Sequence, residues 1–314
     1  MPDLPSILRQ YGVSLVTHER GDRHVRHGWL GVPCPFCTGS PGLHLGYNIA
    51  KDFWNCWRCG FHSSIDVVQK LAHVDRSTAI DILRSVDTKN SSLNRRRDEA
   101  AQIKIGSNHY RRPSGVTTLT ANHARYLENR GFDPNELERE WRLESTGPVS
   151  ALDKSDYRHR LFIPIYWGDK EVSFQTRDVT GRAEQKYKAC PLDRELVPHK
   201  KIIYRHPEYN GNFGIAVEGP ADAWRFGPSA FALSGILYKI EQVLAIASLY
   251  DTVAVVFDPE PVAQKQAEKL ACQLDNCNVR VSLHPPIGGD DPGAMREDDA
   301  RHFVRELTNW AFAV

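Results

Sequence analysis

The chain has 314 residues, of which 41% are hydrophobic and 25% charged, as in a soluble protein that buries a core. This length accommodates about two domains. No apolar stretch approaches the ~20 residues of a membrane span, and the N-terminus lacks the pattern of a secretory signal, so we expect a cytoplasmic protein without a membrane partner. The formal net charge of +1 excludes a uniformly basic protein, but basic clusters and a C-terminal excess of acids leave polyanion binding open.

The first predicted element is a zinc ribbon built on two C-x-x-C pairs. Four of the seven cysteines form these pairs: Cys34 with Cys37, and Cys56 with Cys59. Their spacing fits the pattern in which two tight turns bring four thiolates to one tetrahedral ion. Free buried cysteines and a redox C-x-x-C are the alternatives, and two pairs at this spacing disfavour both. One structural Zn²⁺ is therefore expected, and the other three cysteines are interpreted as reduced.

Residues around the ribbon have two interpretations each. His44 and His62 rival the cysteines as ligands, although His44 lies in an alternating stretch and four thiolates already complete the shell. The surrounding side chains Tyr47, Phe53, Trp54, Trp57 and Arg58 either pack a small core around the metal or stack unpaired bases. A helix is predicted over Ser64–Leu71 from its apolar spacing.

A polar, basic segment separates the ribbon from the rest of the chain. Residues 88 to 115 show almost no apolar periodicity and are interpreted as a linker. The sequence therefore predicts a zinc-ribbon domain at 1–86, a basic linker at 87–115, and a core whose subdomains span 116–209 and 210–314.

Beyond the linker, strands alternate with helices. Thr120 is a plausible N-cap for a helix over Ala121–Asn129, and strands follow at Leu161–Tyr166 and Val172–Thr176. From Gly214, the strands GIAVE, SAFAL, TVAVVF and VRVSL alternate with helices that begin near Ala221, Ile240 and Val262, and a last helix covers about Glu297–Phe312. Continuous apolar strands of this kind indicate a mostly parallel sheet flanked by helices, in an α/β (α+β overall) fold.

Acidic residues follow the strands of this predicted sheet. Glu218 ends one strand and Asp222 comes a helical turn later, Asp258 and Glu260 follow another strand, and a Gly/Pro loop carries Asp290 and Asp291. Strand ends in a parallel sheet converge on one edge, where such carboxylates would repel one another without cations. Hard oxygen ligands suit Mg²⁺ or Mn²⁺.

These motifs together resemble DnaG-type DNA primases. E-G-x-x-D, followed by a strand ending in D-x-E, is similar to the Toprim fold, and D-P-G at Asp291–Gly293 looks like the third acidic element of primases. The stretches FIPI, QTRD and QKYKACP, and ARYLENRGFDP after the linker, look like the primase core. The resemblance covers about residues 28–314 and is closest to compact primases of bacteriophages and mobile elements, which would place the protein in a host cytoplasm.

The resemblance implies a role for each matching residue. Glu218, Asp222, Asp258, Glu260 and Asp291 would be catalytic, with Glu218, Asp258 and Glu260 on magnesium and the other two supporting a second ion or its waters. Arg177 and Lys186 would bind nucleotide or template, with Lys200 or Lys201 matching a later lysine. Without the resemblance, a solvated hairpin explains these basic residues equally well. Glu260 departs from the family, which more often has Asp there.

The implied function is de novo RNA primer synthesis on single-stranded DNA from nucleoside triphosphates, with the ribbon reading or holding the template. No P-loop is present, so a separate replicative helicase is the expected partner. A Toprim nuclease remains an alternative, as does a zinc-dependent single-stranded DNA-binding or replication-regulating protein with an inactive core. The chain is too short for a Toprim topoisomerase.

Overall fold

The computed structural model describes residues 4–17, 25–37, 42–49, 53–85, 106, 108–275, 277, 279–286 and 291–313. Asp290 and most of the predicted linker lie outside this set. The chain divides into two compact units, one holding residues 1–99 and 272–279 and the other holding residues 100–271 and 280–314.

The N-terminal unit is a small antiparallel sheet with three helices. Its sheet has the order β1-β2-β3-β4-β5. Leu8, Leu45 and Val67 are fully buried in its core. Ser63 caps the predicted helix, because its Oγ accepts the Asp66 N–H at 2.9 Å. The elements are α1 (Leu4–Gln10), β1 (Val16–Thr17), β2 (Trp29–Val32), β3 (Leu45–Asn48), β4 (Phe53–Cys56), β5 (Gly60–His62), α2 (Ser64–Ala72) and α3 (Arg76–Ser85).

The C-terminal unit begins with an antiparallel sheet. Its order is β12-β11-β10-β7-β6, and its centre is a long hairpin whose strands contain the two predicted strands at 161–166 and 172–176. The elements are β6 (Val116–Thr117), α4 (Ala121–Glu128), α5 (Pro134–Glu140), β7 (Glu144–Thr146), β8 (Ala151–Leu152), β9 (Ser155–Asp156), β10 (Arg160–Trp167), β11 (Lys170–Asp178) and β12 (Tyr187–Ala189).

A second sheet in this unit is mostly parallel, as predicted. In the order β13-β15-β14-β16-β17, all pairs are parallel except the one between the edge strand β13 and β15. A 3-10 turn at His199–Lys201 precedes this sheet, and another at Pro292–Ala294 follows it. The elements are β13 (Tyr204–Arg205), β14 (Phe213–Val217), α6 (Pro220–Phe226), β15 (Ala230–Ala232), α7 (Ile240–Leu249), β16 (Thr252–Val255), α8 (Pro261–Asp275), β17 (Arg280–Leu283) and α9 (Glu297–Phe312).

One hydrophobic core joins the two sheets of the C-terminal unit. Ile163 from β10 and Ile215 from β14 belong to the same buried cluster, as do Leu127 from α4 and Leu307 from α9. Every residue of β14 is buried, which explains its continuous apolar sequence. The shared core packs the antiparallel and the parallel sheet together within this unit.

The described end of the predicted linker lies on this unit. Tyr110 donates a hydrogen bond to Glu171, and Arg112 pairs with Glu171 and, at 2.7 Å, with Glu144. The Arg112 guanidinium also lies 5.0 Å from the centre of the Phe162 ring. A segment that is held by polar contacts has no regular spacing of apolar residues. Its sequence therefore resembles that of a linker.

Within the described residues, no helix combines the length and the apolar character that a membrane span requires.

Candidate active site and metal centres

Four cysteine thiols converge in the N-terminal unit. Cys34 and Cys37 follow β2, Cys56 ends β4, and Cys59 lies in the turn before β5. Gly60, at the end of that turn, has a φ of 92°, a backbone conformation that favours glycine. The Sγ atoms lie within 4.8 Å of one another, and the Sγ of Cys37 is 3.3 Å from that of Cys56 and 3.2 Å from that of Cys59.

The cluster fits a tetrahedral zinc ion. Zn–S bonds of about 2.3 Å place tetrahedral sulfurs about 3.8 Å apart, slightly more than the observed spacings. Although burial opposes the charged form of Cys56, the Cys59 and Arg58 backbone N–H groups outweigh it and lower the pKa of this thiol to about 7. An ordered thiolate is the form that binds metal.

The two rival histidines lie differently. His62 Nε2 is 3.0 Å from Cys59 Sγ, and its ring stacks on Phe36 with the centroids 3.9 Å apart. His62 is therefore next to the thiol cluster but outside the set of four, whereas His44 belongs to neither metal-capable group among the described residues.

The aromatic residues around the cluster differ in burial. Trp54 and Tyr47 are buried and pack together, 4.8 Å between ring centroids. Trp57 is 50% exposed. Its ring lies 5.5 Å from the Trp29 ring, and the Arg26 guanidinium lies 5.9 Å from it. Trp57 is therefore the member of this group that is available to an unpaired base.

A second convergence of ligands occurs at the carboxyl edge of the parallel sheet. Glu218 directly follows β14, and its Oε1 accepts the backbone N–H of Asp258 at 3.0 Å. Asp222 lies in the first turn of α6 and is 8% exposed. Its Oδ2 accepts the Gly219 N–H at 2.7 Å, so the same carboxylate caps the helix and faces the site.

Asp258 and Asp291 complete the edge. Asp258 follows β16, and Asp291 accepts the Gly293 N–H at 2.8 Å, starting the 3-10 turn. A Cβ on Gly293 would lie 2.7 Å from Asp222 Oδ1, so only glycine lets this turn come so close to α6. Oxygens of Asp222, Asp258 and Asp291 lie within 4.8 Å of one another.

The proximity of these acids makes their charged forms unfavourable. Burial, together with the carboxylates of Asp291 and Asp258, holds the pKa of Asp222 well above its usual range. Burial, Asp291 and Glu260 raise the pKa of Asp258 to about 6. Burial, followed by the Asp258 carboxylate, raises the pKa of Glu218 to about 7. Such shifts are characteristic of acids grouped at a functional site.

The donor set suits a hard divalent cation. Asp258 Oδ1 is buried and has no hydrogen-bond partner among the described residues, which a cation would supply. The three aspartates could ligate it through oxygen atoms, as Mg²⁺ and Mn²⁺ require. Of the acids assigned from sequence, Glu218 adjoins this triad, and Glu260 is exposed and lies outside it.

Arg177 lies on the neighbouring antiparallel sheet and forms no ion pair with a carboxylate of the described residues. It is 6% exposed, and its guanidinium lies 5.7 Å from the Tyr126 ring centre and 4.9 Å from that of Tyr187. Its Nη1 donates to the Tyr187 hydroxyl, and its Nε has no acceptor among the described residues. Burial raises the pKa of Tyr187, and the Asp222 carboxylate adds to the rise.

Lys200 is bound to the loop that follows β15, and this loop in turn is bound to the backbone of Glu218. Its Nζ donates to the Ser234 carbonyl at 2.5 Å, and Gly235 N–H donates to the Glu218 carbonyl at 2.8 Å. Burial and the nearby Lys239 lower the pKa of Lys200. Lys201 and Lys186 are exposed. Sequence reasoning did not single out Tyr126, Tyr187 or Gly293, although QKY and DPG were noted as motifs.

No protein-family model and no curated protein matches the sequence. Solved structures match it in fold. The zinc-binding and RNA polymerase domains of Aquifex aeolicus primase share a TM-score of 0.52 and 19% identity over 99% of this chain and 83% of that chain. The Escherichia coli primase catalytic core gives 0.50 and 15% over 60% of this chain and 73% of that one. A further DnaG catalytic core gives 0.50 and 15%, over 61% and 73%.

The fold is therefore that of a zinc-binding domain joined to a primase RNA polymerase domain. The predicted mixed α/β fold and the resemblance to DnaG-type primases are confirmed at this level. Structural matches at identities this low establish the fold alone, and the activity is therefore a proposal.

Replacing Cys37 by Ser should lower bound zinc from one ion per chain to a small fraction, because three thiolates and a hydroxyl bind Zn²⁺ far less tightly. Zinc content after dialysis, measured by mass spectrometry, checks this. The control is Cys272→Ser, since Cys272 is exposed and lies outside the cluster. Equal zinc in both variants would contradict the assignment.

Replacing Asp258 by Asn should increase the free energy of unfolding in EDTA by about 1 kcal/mol, because one of the mutually repelling charges is removed. The same variant should lose most of the rise in melting temperature that Mn²⁺ gives the unsubstituted protein. Thermal melts with and without Mn²⁺ measure both effects. The exposed Asp169, replaced by Asn, is the control, and a Mn²⁺ response that survives in Asp258→Asn would argue against the site.

Proposed function

We propose that this protein is a DNA primase that makes short RNA primers de novo on single-stranded DNA by divalent-metal-dependent nucleotidyl transfer. The observation that carries the proposal is the convergence of Asp222, Asp258 and Asp291, with Glu218 beside them, at one sheet edge. In this proposal the parallel sheet is a Toprim catalytic subdomain, and the primase fold and the four-thiol cluster support it.

The acids and the basic residues have complementary tasks. Asp222, Asp258 and Asp291 would hold Mg²⁺ or Mn²⁺, which, when bound, stabilises charge on the reacting phosphates and favours ionisation of the attacking hydroxyl. Glu218, fixed through Oε1 by the Asp258 N–H, is the candidate proton acceptor beside the triad. Glu260 remains a candidate that adds negative charge from the exposed side.

The basic residues would bind the phosphates. Arg177 is a buried guanidinium with a phenol but no carboxylate as its partner, so an incoming polyphosphate would supply the missing counter-charge. Lys200 would add a point charge at the strand end, and the exposed Lys186 and Lys201 would contact template or nucleotide.

The zinc-ribbon unit would hold the template. One structural Zn²⁺ on Cys34, Cys37, Cys56 and Cys59 orders the turn that exposes Trp57, and an exposed indole is a stacking surface for an unpaired base. A separate helicase would supply unwound DNA. Clustered carboxylates are unfavourable where a simple binding protein meets phosphate, so the enzymatic proposal is preferred over an inactive DNA-binding protein.

The full chain, incubated with mixed-sequence single-stranded DNA, ribonucleoside triphosphates and Mg²⁺ or Mn²⁺, should make short RNA products. Glu218→Gln should reduce the product at least a hundredfold, because the acceptor beside the triad is lost. The exposed helical Glu268, replaced by Gln, should retain activity. Products resolved by gel electrophoresis give the result. Cleaved DNA would favour a Toprim nuclease, and DNA binding without product under either metal would favour the binding protein.

Replacing Trp57 by Ala should weaken binding of single-stranded DNA by about 1–2 kcal/mol, since one stacking surface is removed. Fluorescence anisotropy with a labelled oligonucleotide measures this. The control is Tyr11→Ala, because Tyr11 is similarly exposed, at 44%, and belongs to the same unit. Equal affinities in the two variants would show that Trp57 does not contact the template.

A further inference from the structure

Glu195 is a buried carboxylate that the proposed chemistry does not use. It is 1% exposed and lies between β12 and the 3-10 turn that carries Lys200. Its Oε1 accepts three hydrogen bonds, from Ser173 Oγ at 2.6 Å, from His199 N at 3.1 Å and from His199 Nδ1 at 2.5 Å. Its Oε2 is buried and has no partner among the described residues.

Stability alone does not account for this group. A buried carboxylate loses its hydration, and an oxygen without a partner adds to that cost. The carboxylate instead fixes the conformation of the turn, because the backbone N–H and the ring Nδ1 of His199 are both bound to its Oε1. Glu195 thereby fixes both the position and the ring orientation of the first residue of the turn.

The backbone at Glu195 is itself held in place by hydrogen bonds. Leu196 N–H donates to the Val172 carbonyl of β11 at 2.9 Å. From the other side, Asn108 Nδ2 donates to the Glu195 carbonyl at 3.0 Å. The carboxylate is therefore attached to the antiparallel sheet and cannot shift without breaking these backbone contacts.

The position of the 3-10 turn at His199–Lys201 determines where the Lys200 side chain points. Its far end is held by buried Gln242, whose amide donates to the carbonyls of Ile202 and Leu233, both at 3.0 Å. With both ends held, Lys200 Nζ reaches the Ser234 carbonyl, one residue before the Gly235 N–H that binds the Glu218 carbonyl. Ser234 has a φ of 59°, in the left-handed region of backbone conformation, and its carbonyl accepts the Lys200 hydrogen bond.

We propose that Glu195 and His199 are positioning residues that hold the Lys200 ammonium at the acidic edge, ready for the phosphates of a nucleoside triphosphate. The role of Lys200 towards phosphate rests on the proposed function, whereas the positioning of Lys200 by Glu195 does not. The two parts can be tested separately.

The positioning is tested by limited acetylation of the full-length protein with an amine-reactive ester, with the modified lysines quantified by mass spectrometry. Lys201, exposed on the same turn, is the internal reference. In the unsubstituted protein Lys200 should react several-fold more slowly than Lys201, because the partial burial of its Nζ and its hydrogen bond to Ser234 restrict access of the ester more than its lowered pKa increases the neutral amine. In Glu195→Ala the ratio of the two rates should approach one, and the conservative Glu195→Gln should retain most of the difference.

The exposed Glu208, replaced by Ala, is the matched control and should keep the original ratio. An unchanged ratio in a folded Glu195→Ala protein, judged by its melting curve, overturns the proposal. If Glu195→Ala does not fold, His199→Ala breaks the same link from the other side and is interpreted in the same way.

The link to phosphate is tested by primer synthesis. Glu195→Ala should raise the KM for ribonucleoside triphosphates several-fold and leave kcat nearly unchanged, since a group that binds substrate and transition state equally affects KM alone. An unchanged KM together with a changed acetylation ratio would overturn the phosphate role and keep the positioning. If the unsubstituted protein makes no primers, the proposed function fails, and the acetylation ratio still decides the role of Glu195.

Discussion

Repulsion among the clustered carboxylates is the constraint around which the C-terminal unit is organised. Oxygens of Asp222, Asp258 and Asp291 lie within 4.8 Å of one another. In the unfolded chain, repulsion between the charges would keep these side chains apart. Backbone N–H groups offset part of this cost, because Gly219 binds Asp222 and Gly293 binds Asp291, while Asp258 N–H binds Glu218. The scaffold that holds these donors in place is the parallel sheet, whose central strand β14 is buried along its whole length.

The antiparallel sheet contributes the opposite charge. Because a single core joins both sheets, β11 belongs to the same packed unit as the acids, and its Arg177 guanidinium lies against the Tyr126 and Tyr187 rings. A carboxylate partner would have neutralised it. In the proposed function, a ligand that carries both divalent cations and phosphate would satisfy the acids and Arg177 together.

The sequence predicted those features that have a local signature. Continuous apolar runs located β14 and β16, and the acids that follow them could be assigned to one edge because parallel strand ends converge. Glu195, Tyr126 and Tyr187 could not be found in this way, since their partners are distant in sequence and their own patterns are ordinary. Arg112 was assigned to a linker because ion pairs to Glu144 and Glu171 leave no periodicity. Lys200 and Lys201 are adjacent residues of the same type, so their sequence pattern does not distinguish them.

Asp222 has one oxygen committed to the backbone at the start of α6 and the other facing the acidic edge. A substitution that removes both carboxylate oxygens also removes the acceptor of the Gly219 N–H, a hydrogen bond that contributes about 1 kcal/mol. The acidic edge and the start of α6 therefore depend on one side chain at this position, whereas Asp258 Oδ1 has no hydrogen-bond partner among the described residues. If the proposed function holds, a related chain that no longer needs the acidic edge is expected to lose Asp258 first and to retain Asp222 as a structural residue.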